Sequence, residues 1–176
     1  MGAVRRADPQ AIAALVHATH TDVRRLAAHL VDAQSADDLV QETYLRAIRA
    51  LPDFRGHSSE RTWLLAIARR VCADELRARS RRRRRDQALQ AAATVDRAPG
   101  PGEQVAWADA LAALDPDRRA AFVTTQILGL SYAEAAEACG CPIGTIRSRV
   151  ARARAQLIDT LALADDAGAG PKTAHR

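Results

Sequence analysis

Aromatic side chains make up only 3% of this 176-residue chain, so any core must be assembled from Ala, Leu, Val and Ile. Long apolar runs are missing as well: none approaches the roughly 18 residues that a bilayer span requires, which argues against a membrane protein. No apolar stretch follows the arginines of the opening MGAVRRADPQ, so no secretory signal is expected. The three cysteines should then stay reduced in a cytoplasm, outside any disulfide. The five histidines form no i,i+4 pair, and glycine loops of the phosphate-cradling kind are absent. Cys139 and Cys141 make a C-x-C around a glycine, but no further His or Cys lies nearby to complete a metal site. Nothing in these patterns points to catalysis, a metal or another cofactor.

Lysine is nearly absent too: 25 of the 26 basic residues are Arg. Arg forks onto phosphate and guanine edges and so suits nucleic acid, yet 40 alanines beside 25 arginines also fit a GC-rich genome. Placement decides, because evenly spread charge makes a solvated surface and clustered charge a docking face. Residues 61–85 carry ten arginines against Asp74 and Glu75, and residues 142–157 carry four arginines and no acid. Between them, DQALQAAATVDRAPGPG (86–102) lacks a large apolar repeat and ends in a helix-breaking Pro-Gly-Pro-Gly. The stretch 81–102 is therefore read as a flexible linker between an N-terminal domain at 8–80 and a C-terminal domain at 103–164. A disordered tail is expected at 165–176.

Apolar positions recur at three and four and nowhere alternate, so both domains are expected to be all-α, each a cluster of four helices. Asp8 and Pro9 start a first helix with Ile12, Leu15 and Val16 inward, and a second covers about 21–31 with Val23, Leu26, Ala27 and Leu30. Ser35 caps a third, whose stripe is Leu39, Val40, Thr43, Ala47, Ile48 and Leu51, ended by Pro52. After a polar loop at 53–59, a fourth turns Trp63, Leu64, Ile67, Ala68, Val71 and Leu76 inward and arginine outward. The C-terminal domain opens with a helix through Val105, Ala108, Leu111 and Leu114, then one from Asp115 and Pro116 that stops at Gly129. Ser131 and Glu134 form the capping box of a short helix ending at Gly140, and a long helix follows from about 142 to 163.

Helix, glycine turn and arginine-rich helix make a helix-turn-helix pattern. Ala136 is small where two helices cross, Gly140 suits a left-handed backbone, and Ile146 and Val150 plug the second helix onto the first. Thr145, Arg147, Ser148 and Arg152 then face outward, where side chains reach major-groove edges. A solvated hairpin would leave Arg147, Arg149, Arg152 and Arg154 in uncompensated self-repulsion. The segment SADDLVQETYLRA sets Asp37, Asp38, Gln41 and Glu42 on the exposed side of an amphipathic helix. Acids in a first turn complement the helix dipole, but Glu42 lies a turn further in, so dipole compensation and a basic protein partner both stand open. Cys139 is expected to be a packed thiol. Cys72 reads either as a core residue beside Val71 or as a thiol of lowered pKa among arginines.

Three stretches together resemble the sigma factors of bacterial RNA polymerase in their two-domain extracytoplasmic-function form. SADDLVQETYLRAI (35–48) looks like the segment that grips the polymerase clamp, FRGHSSERTWLLAIARRVCADELR (54–77) like those that open and read the minus-ten element, and GLSYAEAAEACGCPIGTIRSRVARARAQL (129–157) like the minus-35 reader. Tyr44 and Ile48 depart from the family's usual aromatic or larger apolar choices, and the linker shows no likeness. The resemblance implies an alternative sigma factor, not an enzyme, that binds core RNA polymerase and promoter DNA. Its polymerase face would be Asp37, Asp38, Leu39, Gln41 and Glu42. For the minus-ten strand it implies Phe54, Arg55, His57, Ser58, Arg61, Trp63 and Arg69, with Arg70 and Arg77 on upstream duplex and Trp63 also serving the core. In the minus-35 reader Arg147, Ser148 and Arg152 would meet bases, and Thr145 and Arg149 phosphate. The run at 81–85 would contact phosphate or polymerase without reading sequence, because a disordered run cannot fix bidentate geometry. An anti-sigma partner, a monomeric state, no membrane association and a cytoplasmic, polymerase-linked location complete the expectation.

Two alternatives use the same residues differently. A self-standing helix-turn-helix regulator would need a ligand pocket or dimer stripe in its N-terminal half, where 35–77 instead offers an acidic face and an arginine-rich helix. A nucleic-acid-processing enzyme would need carboxylates clustered for metal, and Asp37, Asp38 and Glu42 lie on a helix surface.

Overall fold

The computed structural model describes residues 8–89 and 103–168, all-α with seven α-helices among those residues. The N-terminal domain is built from α1 (Pro9–Leu30), α2 (Ala36–Ala50) and α3 (Glu60–Leu89), with a 3-10 turn at Leu51–Asp53. The C-terminal domain comprises α4 (Glu103–Ala113), α5 (Pro116–Phe122), a π-helical turn (Val123–Ile127), α6 (Tyr132–Cys139) and α7 (Ile143–Gly168).

The expected first and second helices are one. No Gly or Pro interrupts 10–30, and Leu15, Thr19, Val23, Leu26, Ala27 and Leu30 form an unbroken buried stripe. Thr21 is exposed and Asp22 is half-buried against Arg61 of α3 on a continuing helix, so the N-terminal bundle has three helices rather than four. Asp8 caps α1 by accepting from the Gln10 amide, as expected. Ser35 does not cap α2 with its side chain: its amide donates to Asp32 and its hydroxyl accepts from Arg79. Ile48 is half exposed, because α2 buries Ala36, Leu39, Val40, Thr43 and Ala47 instead.

α3 runs on to Leu89, nine residues past the expected boundary at 80, so Arg81 to Arg85 are helical. Arg79 and Arg82 hold this extension by ion pairs to Glu75 at 2.7 and 2.9 Å, and Arg79 also pairs with Asp32. The rest of the expected linker, 90–102, lies outside the described residues, as do 169–176, whereas α7 carries 165–168 of the expected tail as helix.

In the C-terminal domain Thr124 and Thr125 donate their hydroxyls back to Ala120 and Ala121 carbonyls, and the backbone there widens to a π turn in which the Leu128 amide reaches Val123. Trp107, Ala110, Leu111, Leu114, Phe122, Ala153 and Leu157 close a local core.

The two domains are not separate bodies. One hydrophobic cluster includes Ile67, Ala68, Val71 and Cys72 of α3 together with Val123, Leu128, Ala135, Ala136, Ala138 and Cys139, and α3 packs along α6. The small side chains of α6 permit this close approach.

Gly140 ends α6 at φ 65°, ψ 41°, and the Cys141 amide returns to the Ala136 carbonyl. A Cβ at this position would meet no atom within 4 Å, so the penalty for adding one is purely conformational. Gly140→Ala should therefore lower stability by about 1–2 kcal/mol. Urea denaturation measures the loss, and Gly140→Asn should recover part of it.

Candidate nucleic-acid interface

The helix-turn-helix is set by short-range chemistry. Ser131 Oγ accepts from the Glu134 amide at 3.2 Å while Glu134 Oε2 accepts from the Ser131 amide at 2.9 Å, so both partners of the capping box are present. The Ser131 hydroxyl, donating to Glu134 Oε2 at 2.8 Å, and the Ser131 amide together hold the Glu134 carboxyl below the usual range. Beyond the Gly140 turn, Ile146 and Val150 are fully buried and lock α7 against α6. Arg147, Ser148 and Arg152 are exposed on the outer side of α7, as the pattern predicted, and Thr145 is half-buried. Arg149 is tied to Asp117 at 2.5 Å and lies 3.5 Å from Cys141 Sγ, so it braces α7 on α5.

In the N-terminal domain the expected residues divide. Phe54 is buried and stacks on half-buried Trp63, centroids 4.8 Å apart at 39°, so the phenyl ring is a core element rather than part of an open pocket. Arg55 and His57 remain exposed on the loop, where Gly56 adopts φ 74°, and Ser58 is half-buried. Arg70 and Arg77 are exposed. Arg61 donates to Asp22 and to the Leu128 carbonyl, both at 2.7 Å, and Arg69 donates to the Ala138 carbonyl at 3.0 Å. Both are committed across the domain junction, and any strand they grip must displace those bonds.

A third arginine completes the junction. Arg119 of α5 is buried and donates to the Leu30 carbonyl at 3.0 Å and to the Ala112 and Leu114 carbonyls. Its Nε has no partner, and burial pulls its pKa down against the opposing pull of Asp115.

On α2, Asp37 and Asp38 in the first turn and Gln41 are exposed, while Leu39 is buried in the core and cannot face a partner. Asp37 pairs with Arg24 at 2.9 Å, and Glu42, half-buried, pairs with Arg46 at 2.7 Å. Arg46 also holds Asp74 at 2.6 Å, and hydrogen bonds from Arg46 and Arg77 keep the Asp74 carboxyl below its ordinary range. Leu45 and Ile48 are half exposed on the same side as Asp38 and Gln41, at helical spacings of three and four. Sequence reasoning placed Ile48 inward and passed over Leu45. A second apolar stripe beside the buried one was the available signal.

An all-α protein with a capped helix-turn-helix and an arginine-lined helix seam belongs to the class of modular DNA-binding proteins. Residues 15–82 match the profile of Sigma-70 region 2, and residues 104–157 that of Sigma-70 region 4. The ECF RNA polymerase sigma factor SigC of Mycobacterium tuberculosis is 51% identical over 152 residues, covering 85% of this chain and 82% of that protein. The solved structure of CnrH in complex with the cytosolic domain of CnrY superimposes with a TM-score of 0.72 at 28% identity, covering 92% and 94% of the two chains. That of the Bartonella quintana sigma factor RpoE in complex with the anti-sigma factor NepR gives 0.68 at 33%, covering 83% and 93%. The chain belongs to the sigma-70 family, among its extracytoplasmic-function sigma factors, and is an alternative sigma factor that directs transcription initiation. No helix among the described residues is long and apolar enough to cross a membrane.

The cysteines answer the open question about Cys72. All three are free; burial pushes the Cys72 thiol up to about 12, outweighing a backbone hydrogen bond and the nearby Arg69, and burial also raises Cys139. Only Cys141 is partly accessible. Titration with a thiol-reactive dye at pH 8 should give one fast equivalent, lost in Cys141→Ser, and two that appear only on unfolding or on separation of the domains.

Proposed function

We propose that α2 docks the chain on core RNA polymerase through Asp37, Asp38, Gln41 and the adjoining Leu45 and Ile48. On this reading Glu42 orients Arg46 at the edge of the face. α3 and the loop before it serve the minus-ten segment: Arg55, His57 and Ser58 line the approach of an unpaired base, and Arg70 and Arg77 bind upstream duplex. α7 reads minus-35 duplex through Arg147, Ser148 and Arg152, with Thr145 on phosphate. Catalysis of transcript synthesis is left to the polymerase, and the chain itself carries no enzymatic step. A separate protein that occupies the junction, an anti-sigma factor, fits the relatives seen with such partners.

The observation that carries this reading is the coexistence of an outward-facing, exposed Arg147, Ser148 and Arg152 on α7 with an acidic, apolar-flanked stripe on α2. One set suits base edges and phosphate, and the other suits a basic protein surface. Arg61 and Arg69 join the promoter contact only after giving up the Leu128 and Ala138 carbonyls. Promoter engagement by the N-terminal domain is thus coupled to separation of the domains, while the α7 surface needs none.

Run-off transcription with purified core enzyme tests it: transcripts from a cognate promoter should appear only when the chain is added. Asp38→Arg with Gln41→Arg should abolish core binding while leaving minus-35 duplex binding intact, and undiminished core affinity would refute the α2 assignment. Arg152→Ala should weaken specific minus-35 duplex binding by about 1–3 kcal/mol and relax preference at one or two base pairs. An equal loss on all sequences would make Arg152 a phosphate contact.

A further inference from the structure

We propose that the cleft between the end of α1, the middle of α3 and α5 binds a small organic anion, a single carboxylate on a compact apolar body, which bridges the two domains and holds them packed. The cleft measures about 270 Å³. That lies just below the roughly 300–1,000 Å³ of sites for drug-sized ligands, so it suits a fragment rather than a peptide or a nucleotide. Its deep walls are apolar Leu30, Cys72 and Ala120 beside the buried Arg119, and Arg77, Ser80 and Asp117 stand exposed at its mouth.

Charge selects the occupant. Arg69, Arg77 and Arg119 line the cleft against one carboxylate, Asp117. Arg77 is paired with Asp74, and Asp117 is taken up by Arg149 at 2.5 Å. Arg69 and Arg119 have no such counter-charge: among the described residues each bonds only backbone carbonyls, Arg69 through Nε alone. Arg119 is 8% exposed, its Nε has no partner, and Asp115 acts on it without bonding it. A buried cation that lacks an ion partner is costly. An anion drawn in beside the two guanidiniums offsets that cost and forms charge-assisted bonds stronger than those to neutral carbonyls.

Guanidinium forks take carboxylate or phosphate oxygens in pairs, but the Asp117 carboxylate on the wall repels a dianion more than a monoanion. The apolar walls call for a hydrocarbon body, because a bare ion would leave Leu30, Cys72 and Ala120 facing water. Arg69 belongs to α3 and Arg119 to α5, so one ligand that touches both joins the domains. Binding only the packed form, it favours that form by the factor 1 + [L]/Kd. On the promoter reading above, on which this last consequence alone rests, an occupied cleft opposes the separation that frees Arg69 for the minus-ten strand.

The test uses the full chain free of polymerase, with benzoate as probe, benzamide as its neutral counterpart and inorganic phosphate as a bare ion. In calorimetric titration benzoate should bind saturably, about tenfold or more tighter than either control. Ala73→Leu, which fills the cleft from half-buried α3, should lower benzoate affinity by about tenfold or more, and so should Ser80→Leu at the exposed mouth. Thiol labelling under native conditions, mapped by mass spectrometry, tests the bridging. With benzoate at about ten times its Kd, Cys139, buried in the seam but not lining the cleft, should label about elevenfold more slowly in wild type and at an unchanged rate in Ala73→Leu. Benzamide or phosphate binding as tightly as benzoate would overturn the proposal. So would an affinity that survives both cleft-filling variants, or a Cys139 rate indifferent to bound benzoate. No promoter or polymerase enters these measurements, so their failure is distinct from failure of the promoter reading, which run-off transcription decides.

Discussion

Carbonyl groups left over at the ends of helices are the constraint that this structure is organised around. Each helix finishes with carbonyls that lack intrahelical donors and carry the negative end of the macrodipole. Four of these ends meet near the junction of the two domains, and three arginines satisfy them: Arg61 at Leu128, Arg69 at Ala138, and Arg119 at Leu30 and Leu114. A guanidinium has five donors and can serve a carbonyl while keeping other bonds, as Arg61 does with Asp22. Lysine, a point charge with no fork, would not replace it. The apolar seam between α3 and α6 draws the domains together without direction; the arginines fix which carbonyls face which helix.

On the promoter reading proposed above, Arg61 and Arg69 would have two competing sets of acceptors. In the packed molecule Arg69 holds a neutral carbonyl and Arg61 holds one beside the Asp22 carboxylate, whereas phosphates would offer each a full charge and a charge-assisted bond. On that reading, exchange of one set for the other leaves the guanidinium bare in neither state. Arg119 differs. It is buried among backbone carbonyls with one nitrogen unpartnered, so its role is structural, and it orients α5 against the end of α1.

The helix-turn-helix was legible in the sequence because its determinants are local. A capping box spans four residues, a left-handed glycine acts on its own backbone, and Ile146 and Val150 follow helical period. The continuity of α1 is not legible locally: Thr21 and Asp22 interrupt the apolar stripe, and the partner that takes up Asp22, Arg61, lies 39 residues away. Packing of the domains was illegible for the same reason: its arginine bonds join residues 67 to 89 positions apart. Phe54 and Leu39 show a further limit. Phe54 lies between exposed Asp53 and Arg55, and only the tertiary fold turns it into the core, whereas helical period already set Leu39 inward and only the family resemblance had placed it on the polymerase face.

The buried thiols carry a chemical consequence of the shared seam. Peroxides and disulfides attack through the sulfur anion, and a group with a pKa near 12 is ionised in only about one molecule in 10⁵ at neutral pH. Cys72 is therefore slow to react with such oxidants for as long as α3 and α6 stay pressed together, and a parting of the two helices would open the sulfur to that chemistry.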